Sequence, residues 1–151
     1  MTTCIIDTCV LLHYLDVPGR NERRAEVVTE FHRKVAANEN FVLPVAAIIE
    51  TGNFIGGLGD RDVRGHIASR LAALIQQSIT NQAPFKLFPA LGPHELADLL
   101  PKFSDWTRAH RSGLADLTIR EVFNLHCGLE KRARVYIWTL DGHLMGFDRP
   151  A

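Results

Sequence analysis

The chain has 151 residues, 46% of them apolar and 23% charged, which suits one globular domain spanning 1–151. Its 17 basic and 17 acidic residues cancel, excluding a chain that binds nucleic acid by bulk positive charge; such binding needs a local basic patch. No apolar run approaches the roughly 20 residues of a membrane span, no signal-peptide pattern opens the chain, and Cys4, Cys9 and Cys127, odd in number and without Cys-x-x-Cys spacing, predict the reduced thiols of a cytoplasmic protein.

In chain order, Cys4-Ile5-Ile6 reads as a strand buried on both faces. It runs straight into Asp7, and Val10-Leu11-Leu12 then opens a helix. Asp7 therefore sits at the carboxyl end of the first strand, where open α/β sheets place their ligands. A carboxylate among apolar neighbours is costly unless paired or bound to a cation. Asp7 also suits the N-cap of the helix. Leu15 to Gly19 reads as a loop. Asn21 can cap a helix over Arg23–Ala37 with an apolar stripe of Val27, Phe31 and Val35. Arg20, Arg23, Arg24, Arg33 and Lys34 fall on its solvated side. Residues 38–40 form a turn.

Phe41–Pro44 reads as the second strand and Val45–Phe54 as a helix with a buried apolar start. Glu50 lies mid-helix, with Asn53 three residues on and on the same face. Gly56 to Asp60 is a loop. Asp62–Ile79 reads as a helix with Ile67, Leu71, Leu74, Ile75 and Ile79 inward. Phe85–Phe88 alternates with Lys86 and reads as an edge strand. A helix starts at Pro93 with Leu96, Leu99, Leu100 and Phe103 as its packing face, and Pro101 ends or kinks it.

Ser112 suits the N-cap of a further helix, with a core stripe of Leu114, Thr118, Val122, Leu125 and Leu129. Asp116 falls in its first turns, where the helix dipole favours an acid, and Arg120 at i+4 is an ion-pair partner. Val135–Trp138 is the fourth strand. Asp141 follows it in Thr139-Leu140-Asp141-Gly142, the same topological place as Asp7. Residues 144–151 add a short helix or an edge strand.

Four acids thus stand in a pattern: Asp7 after strand one, Glu50 on the helix after strand two, Asp116 before strand four and Asp141 after it. Right-handed crossovers bring these ends to one edge of the sheet. Carboxylates converging without basic partners repel one another. A hard cation such as Mg²⁺ or Mn²⁺ removes the conflict and suits phosphodiester hydrolysis.

In Ile5-Ile6-Asp7-Thr8 with Leu11-Leu12, Ile49-Glu50, Leu114-Ala115-Asp116 and Thr139-Leu140-Asp141, the chain resembles the PIN-domain ribonucleases, and within them the VapC-type toxins of toxin–antitoxin pairs. The resemblance spans essentially the whole chain. It implies a three-layer α/β/α sandwich with a central, mostly parallel sheet. It also implies Mg²⁺- or Mn²⁺-dependent cleavage of single-stranded RNA, with Asp7, Glu50, Asp116 and Asp141 carrying the metal and Thr8, Asn53 and Thr139 in support. A homodimer and a cognate antitoxin, whose tail fills the acidic groove, follow as expected partners. Many members carry Asn where this chain has Cys9, so the hydrogen bond behind Asp7 is in question. For RNA phosphates, Arg108, His110 and Arg111 stand near the expected groove mouth. Lys131, Arg132 and Arg134 fall at the far edge and read as ordinary surface.

Three other readings compete. A phosphatase of the haloacid-dehalogenase kind also begins with a strand ending in Asp, but needs a second Asp where Cys9 stands. A response-regulator-like scaffold needs a lysine after a late strand. A PIN-like domain without activity, binding RNA or protein, remains the main alternative.

Overall fold

The computed structural model describes residues 1–151. Its centre is β1 (Thr2–Ile6), whose Thr3, Cys4, Ile5 and Ile6 are all buried. A continuous apolar run is what a strand covered on both faces requires. β1 pairs in parallel with β2 (Asn40–Pro44) on one side and β4 (Arg134–Trp138) on the other. Beyond β2 lies β3 (Phe85–Phe88), the expected edge strand. β5 (Asp148–Arg149) closes the other edge, antiparallel to β4. The order is β3-β2-β1-β4-β5. The chain moves outward from β1 through β2 to β3, then returns to start again on the far side of β1. The strand order therefore reverses between β1 and β4, and a crevice opens there at the strands' carboxyl ends.

Helices α1 (Thr8–Tyr14) and α2 (Arg24–Ala36) cover one face. Tyr14, Phe31, Phe41 and Phe85 pack there, with Phe31 and Phe41 ring centroids 5.2 Å apart. α3 (Val45–Gly56) follows β2 and packs on α1, and α4 (Arg61–Ile79) packs on α3 and β3. α5 (Pro93–Ala109) lies on α6 (Leu114–Leu129), which covers β1 and β4. Thr3 Oγ1 donates to Glu130 at the end of α6, at 2.6 Å. The fold is the three-layer α/β/α sandwich with a mostly parallel sheet. No helix is long and apolar enough to cross a membrane.

Several local expectations change. Asn21 does not cap α2; it donates to Asp16 at 2.8 Å, and the N-cap is Arg23. The start of α3 is only partly covered, with Ile49 57% exposed. In α4, Ser78 turns inward while Ile79 faces solvent. Pro101 neither ends nor interrupts α5. The carbonyl it leaves without a partner, on Ala97, lies on an exposed stretch where water can serve it. α5 anchors through Leu99 and Trp106, leaving Leu96 and Leu100 at the surface. α6 buries Leu117, Ile119, Val122 and Phe123, whereas Leu125 and Leu129 are exposed. Its buried face is thus turned away from the predicted one.

The largest correction is Lys34. It is 4% exposed, whereas Val35, expected inward, faces solvent. The Lys34 ammonium donates to the Tyr136 hydroxyl and lies 3.1 Å from Glu30 and 3.9 Å from Glu39. Tyr136 in turn donates to Glu39 at 2.5 Å. A buried cation is tolerated because two carboxylates and a phenol surround it. Lys34→Ala strands the Glu39 carboxylate and should lower the stability measured by urea unfolding by about 3 kcal/mol. A loss below about 1 kcal/mol would mean the network is solvated.

Candidate functional site

The crevice between β1 and β4 is a cleft of about 220 Å³. Asp7, Glu50, Asp116 and Asp141 all line it, with Thr8, Cys9, Arg20, Phe54, Arg111 and Ser112. So four elements deliver the four acids to one place: the β1–α1 junction, mid-α3, the first turn of α6 and the loop after β4.

Asp7 is the most tightly held, at 2% exposure. It caps α1, accepting from the Thr8 amide at 2.7 Å through one carboxylate oxygen. The other oxygen accepts from Thr139 Oγ1 at 2.7 Å and from the Cys9 thiol at 3.0 Å. The capping role and a site role thus coexist in one residue. Cys9 also accepts from the Leu140 amide at 3.1 Å. The hydrogen bond behind Asp7 is therefore present, with sulfur as donor. Burial and the neighbouring Asp7 charge push the Cys9 thiol up to about 12, so it stays protonated and able to donate. Thr139 Oγ1 accepts from the Asp141 amide at 2.8 Å, joining the two strand-end acids. Asp141 itself accepts from the His143 amide at 3.0 Å.

Ser112 does not cap α6; that place is Gly113. Its hydroxyl instead donates to the Asp116 carboxylate. Arg120 makes no ion pair with Asp116. It lies over the rings of Trp106 and Phe147, at 5.3 and 5.9 Å. Neither Asp116 nor Glu50 forms an ion pair with a basic side chain.

Three carboxyls are raised above their ordinary range. Burial is the main cause for each. For Asp7, the Asp116 charge adds to it, against hydrogen bonds from Cys9, Thr139 and Thr8. For Glu50, the charges of Asp116, Asp7 and Asp141 add. For Asp116, the Asp141 charge adds, against the Ser112 hydrogen bond and the charge of His143. These are the marks of like charges gathered in a partly dry cleft.

The donor set is oxygen only and fits a hard divalent cation. The Thr8 hydroxyl supports that fit. It is buried facing Glu50 yet makes no hydrogen bond of ordinary geometry. The spacing is looser than the chemistry: no three His, Cys, Asp or Glu side chains stand close enough to hold a metal ion as they are. Unneutralised carboxylates repel, and Glu50 and Asp116 are only half-buried.

The other predicted residues divide. Arg111 lines the cleft. Arg108 points away, 3.4 Å from Asp105 on the surface of α5. His110 packs tilted against Trp106, with centroids 4.2 Å apart. Asn53 is exposed and outside the cleft lining. Arg134, expected at the far edge, pairs with Asp148 at 2.6 Å. Two cleft residues escaped the sequence reading. Arg20 looked like one of several surface charges, and Phe54 like the end of a helix. Only the folding of the α1–α2 connection onto α3 brings them to the rim. No family model matches the chain, and no curated protein matches it.

Because folding raises these carboxyl pKa values, their ionisation opposes folding. The stability they confer is fully present below their unfolded values near 4 and is lost as pH rises through the raised folded values. In EDTA, the unfolding temperature should therefore rise as pH falls from 7 toward 5. Asp116→Asn should unfold at a higher temperature than wild type at pH 7 and flatten that slope. An unchanged slope would place the acids too far apart to interact.

Proposed function

We propose that the chain is a metal-dependent endoribonuclease acting on single-stranded RNA. One observation carries this reading: four carboxylates from four separate elements line one cleft at the point where the strand order reverses. None is within ion-pair distance of a basic side chain, and only His143 acts on Asp116 from further off, so most of their charge is left for something from outside. The resemblance to PIN-domain ribonucleases adds the substrate class. It also adds the reading as a toxin with a cognate antitoxin, and a homodimer.

On this reading Asp7, Glu50, Asp116 and Asp141 hold Mg²⁺ or Mn²⁺. A bound ion there would supply Lewis-acid charge and lower the pKa of water for phosphodiester hydrolysis. The chain's own residues set the geometry. Thr139 fixes Asp7 and the Asp141 backbone relative to each other. Cys9 and the Thr8 amide hold the Asp7 carboxylate in one rotamer. Ser112 orients Asp116. Arg111 at the rim, with no ion pair of its own, is placed to attract phosphate. The first turn of α6 lacks a side-chain cap and leaves amide groups for the same charge.

The looseness of the acids favours a second reading, a PIN-like module that binds RNA or protein without catalysis. Metal separates the two. Purified protein with Mn²⁺ should cleave single-stranded RNA, lose activity in EDTA and show a raised unfolding temperature on adding Mn²⁺. Asp7→Asn should abolish both effects. Thr139→Val, which removes the hydrogen bonds to the Asp7 carboxylate and from the Asp141 amide but no acid, should weaken metal affinity about 10–100-fold. RNA binding unaffected by metal, with no cleavage by wild type, would favour the binding module. A small open reading frame directly upstream would support the toxin reading, and light scattering would test the dimer.

A further inference from the structure

Phe54 is a large aromatic residue that the core does not use. It lies one turn beyond Glu50 on the same face of α3, lines the acidic cleft and is 37% exposed. The next residue, Ile55, is buried and anchors the helix. Phe54 is thus held in place without itself being covered. Above its ring, 4.6 Å from the centroid, sits the Arg20 guanidinium. Arg20 is fixed through its backbone: its amide donates to Val17 O at 2.9 Å, Val17 is buried, and Gly19 turns the chain at φ +79°. Its side chain also lines the cleft, yet it forms no ion pair with any of the four acids.

That is an unusual place for an unpaired arginine. Four carboxylates share its cleft, and a salt bridge to one of them would close the site. The contact with Phe54 holds the guanidinium at the rim, where its N–H donors make no hydrogen bond within the chain. A ring face and a planar cation side by side match the repeating unit of a single-stranded nucleic acid, a base plane joined to a phosphate.

We propose that Phe54 and Arg20 form a nucleotide subsite of the cleft, in which a nucleobase of single-stranded RNA stacks on Phe54 and Arg20 pairs with the adjoining phosphate. This deepens the ribonuclease reading and rests on it for the substrate. The base displaces the guanidinium from the ring, and the freed guanidinium turns to the phosphate. Stacking is tolerant of sequence, because every base has a π face. The subsite thus places the strand without selecting a base.

Binding is measured by fluorescence anisotropy of a labelled ten-nucleotide single-stranded RNA of mixed sequence. It is done in EDTA on an Asp116→Asn background, so that neither metal nor cleavage enters. Phe54→Leu keeps the bulk and loses the π face; it should weaken binding about tenfold. Phe54→Trp should restore it. Arg20→Leu should weaken binding and make it less salt-dependent. An RNA with abasic positions throughout should bind Phe54→Leu and the parent equally. Unfolding temperatures are compared alongside, and the exposed side chain predicts little change. Binding by Phe54→Leu equal to that of the parent would overturn the subsite, as would loss of binding that Trp does not restore. Cleavage by wild type with Mn²⁺ is scored separately. Cleavage with no Phe54 effect overturns the subsite and keeps the nuclease; a Phe54 effect without cleavage keeps the subsite and overturns the nuclease.

Discussion

The structure depends on one buried carboxylate. Asp7 stands where the central strand stops, almost without access to water, and an ion there must be satisfied locally. Three donors meet it: the amide of the residue that starts α1, the thiol of the next residue in that helix, and a hydroxyl from the loop after β4. The first fixes where β1 ends and α1 begins. The third ties β1 to the end of β4, where the strand order reverses. Removing Asp7 would therefore loosen the strand–helix junction as well as the cleft. The same contacts leave the carboxylate in one orientation, facing the cleft, which is what a pre-organised ligand requires.

Around Asp7 the cleft is electrostatically uphill. Glu50 and Asp116 form no ion pair with a basic side chain, and each carboxyl is raised by burial and by the others' charge. Elsewhere the chain handles buried charge differently. Lys34 lies deep under α2, but Glu30, Glu39 and Tyr136 close around it. The chain can thus neutralise a buried ion with its own residues. Leaving four acids unneutralised in one cleft is a cost in stability that local structure does not offset. Such a cost is typical of sites built for something outside the protein.

Much of this was legible in the sequence, and the boundary is physical. The strand carrying Cys4-Ile5-Ile6 was clear because burial on both faces needs an unbroken apolar run. Asp7 and Asp141 were clear because each directly follows such a run. Glu50 and Asp116 could be placed to within a helix turn. The facing of α2 and α6 was not legible. Lys34 sits inside because of residues 102 positions away, and Arg120 chose aromatic rings over Asp116 four residues before it. Cys9 looked like a missing hydrogen bond, because the sequence does not say that Leu140 will arrive to orient the thiol. Pro101 looked like a break, because the sequence does not say that the orphaned carbonyl will face water.

Arg20 was illegible for the same reason, and it exposes a constraint on any cleft of this charge. A polyanion approaching four carboxylates is repelled until cations neutralise them, so the rim must supply positive charge. Yet an arginine long enough to reach phosphate is long enough to reach the acids, and a salt bridge inside the cleft would occupy the ligands. The two demands are met only if the rim cation has a resting place that is neither solvent nor carboxylate. An aromatic face provides one, since the attraction of a guanidinium for a ring is modest and yields to a phosphate. Phe54 under Arg20 satisfies that condition, and its position one turn past Glu50 follows from it. A ring further along α3 would release the cation beyond reach of the cleft. A ring closer to Glu50 would leave it against the acid.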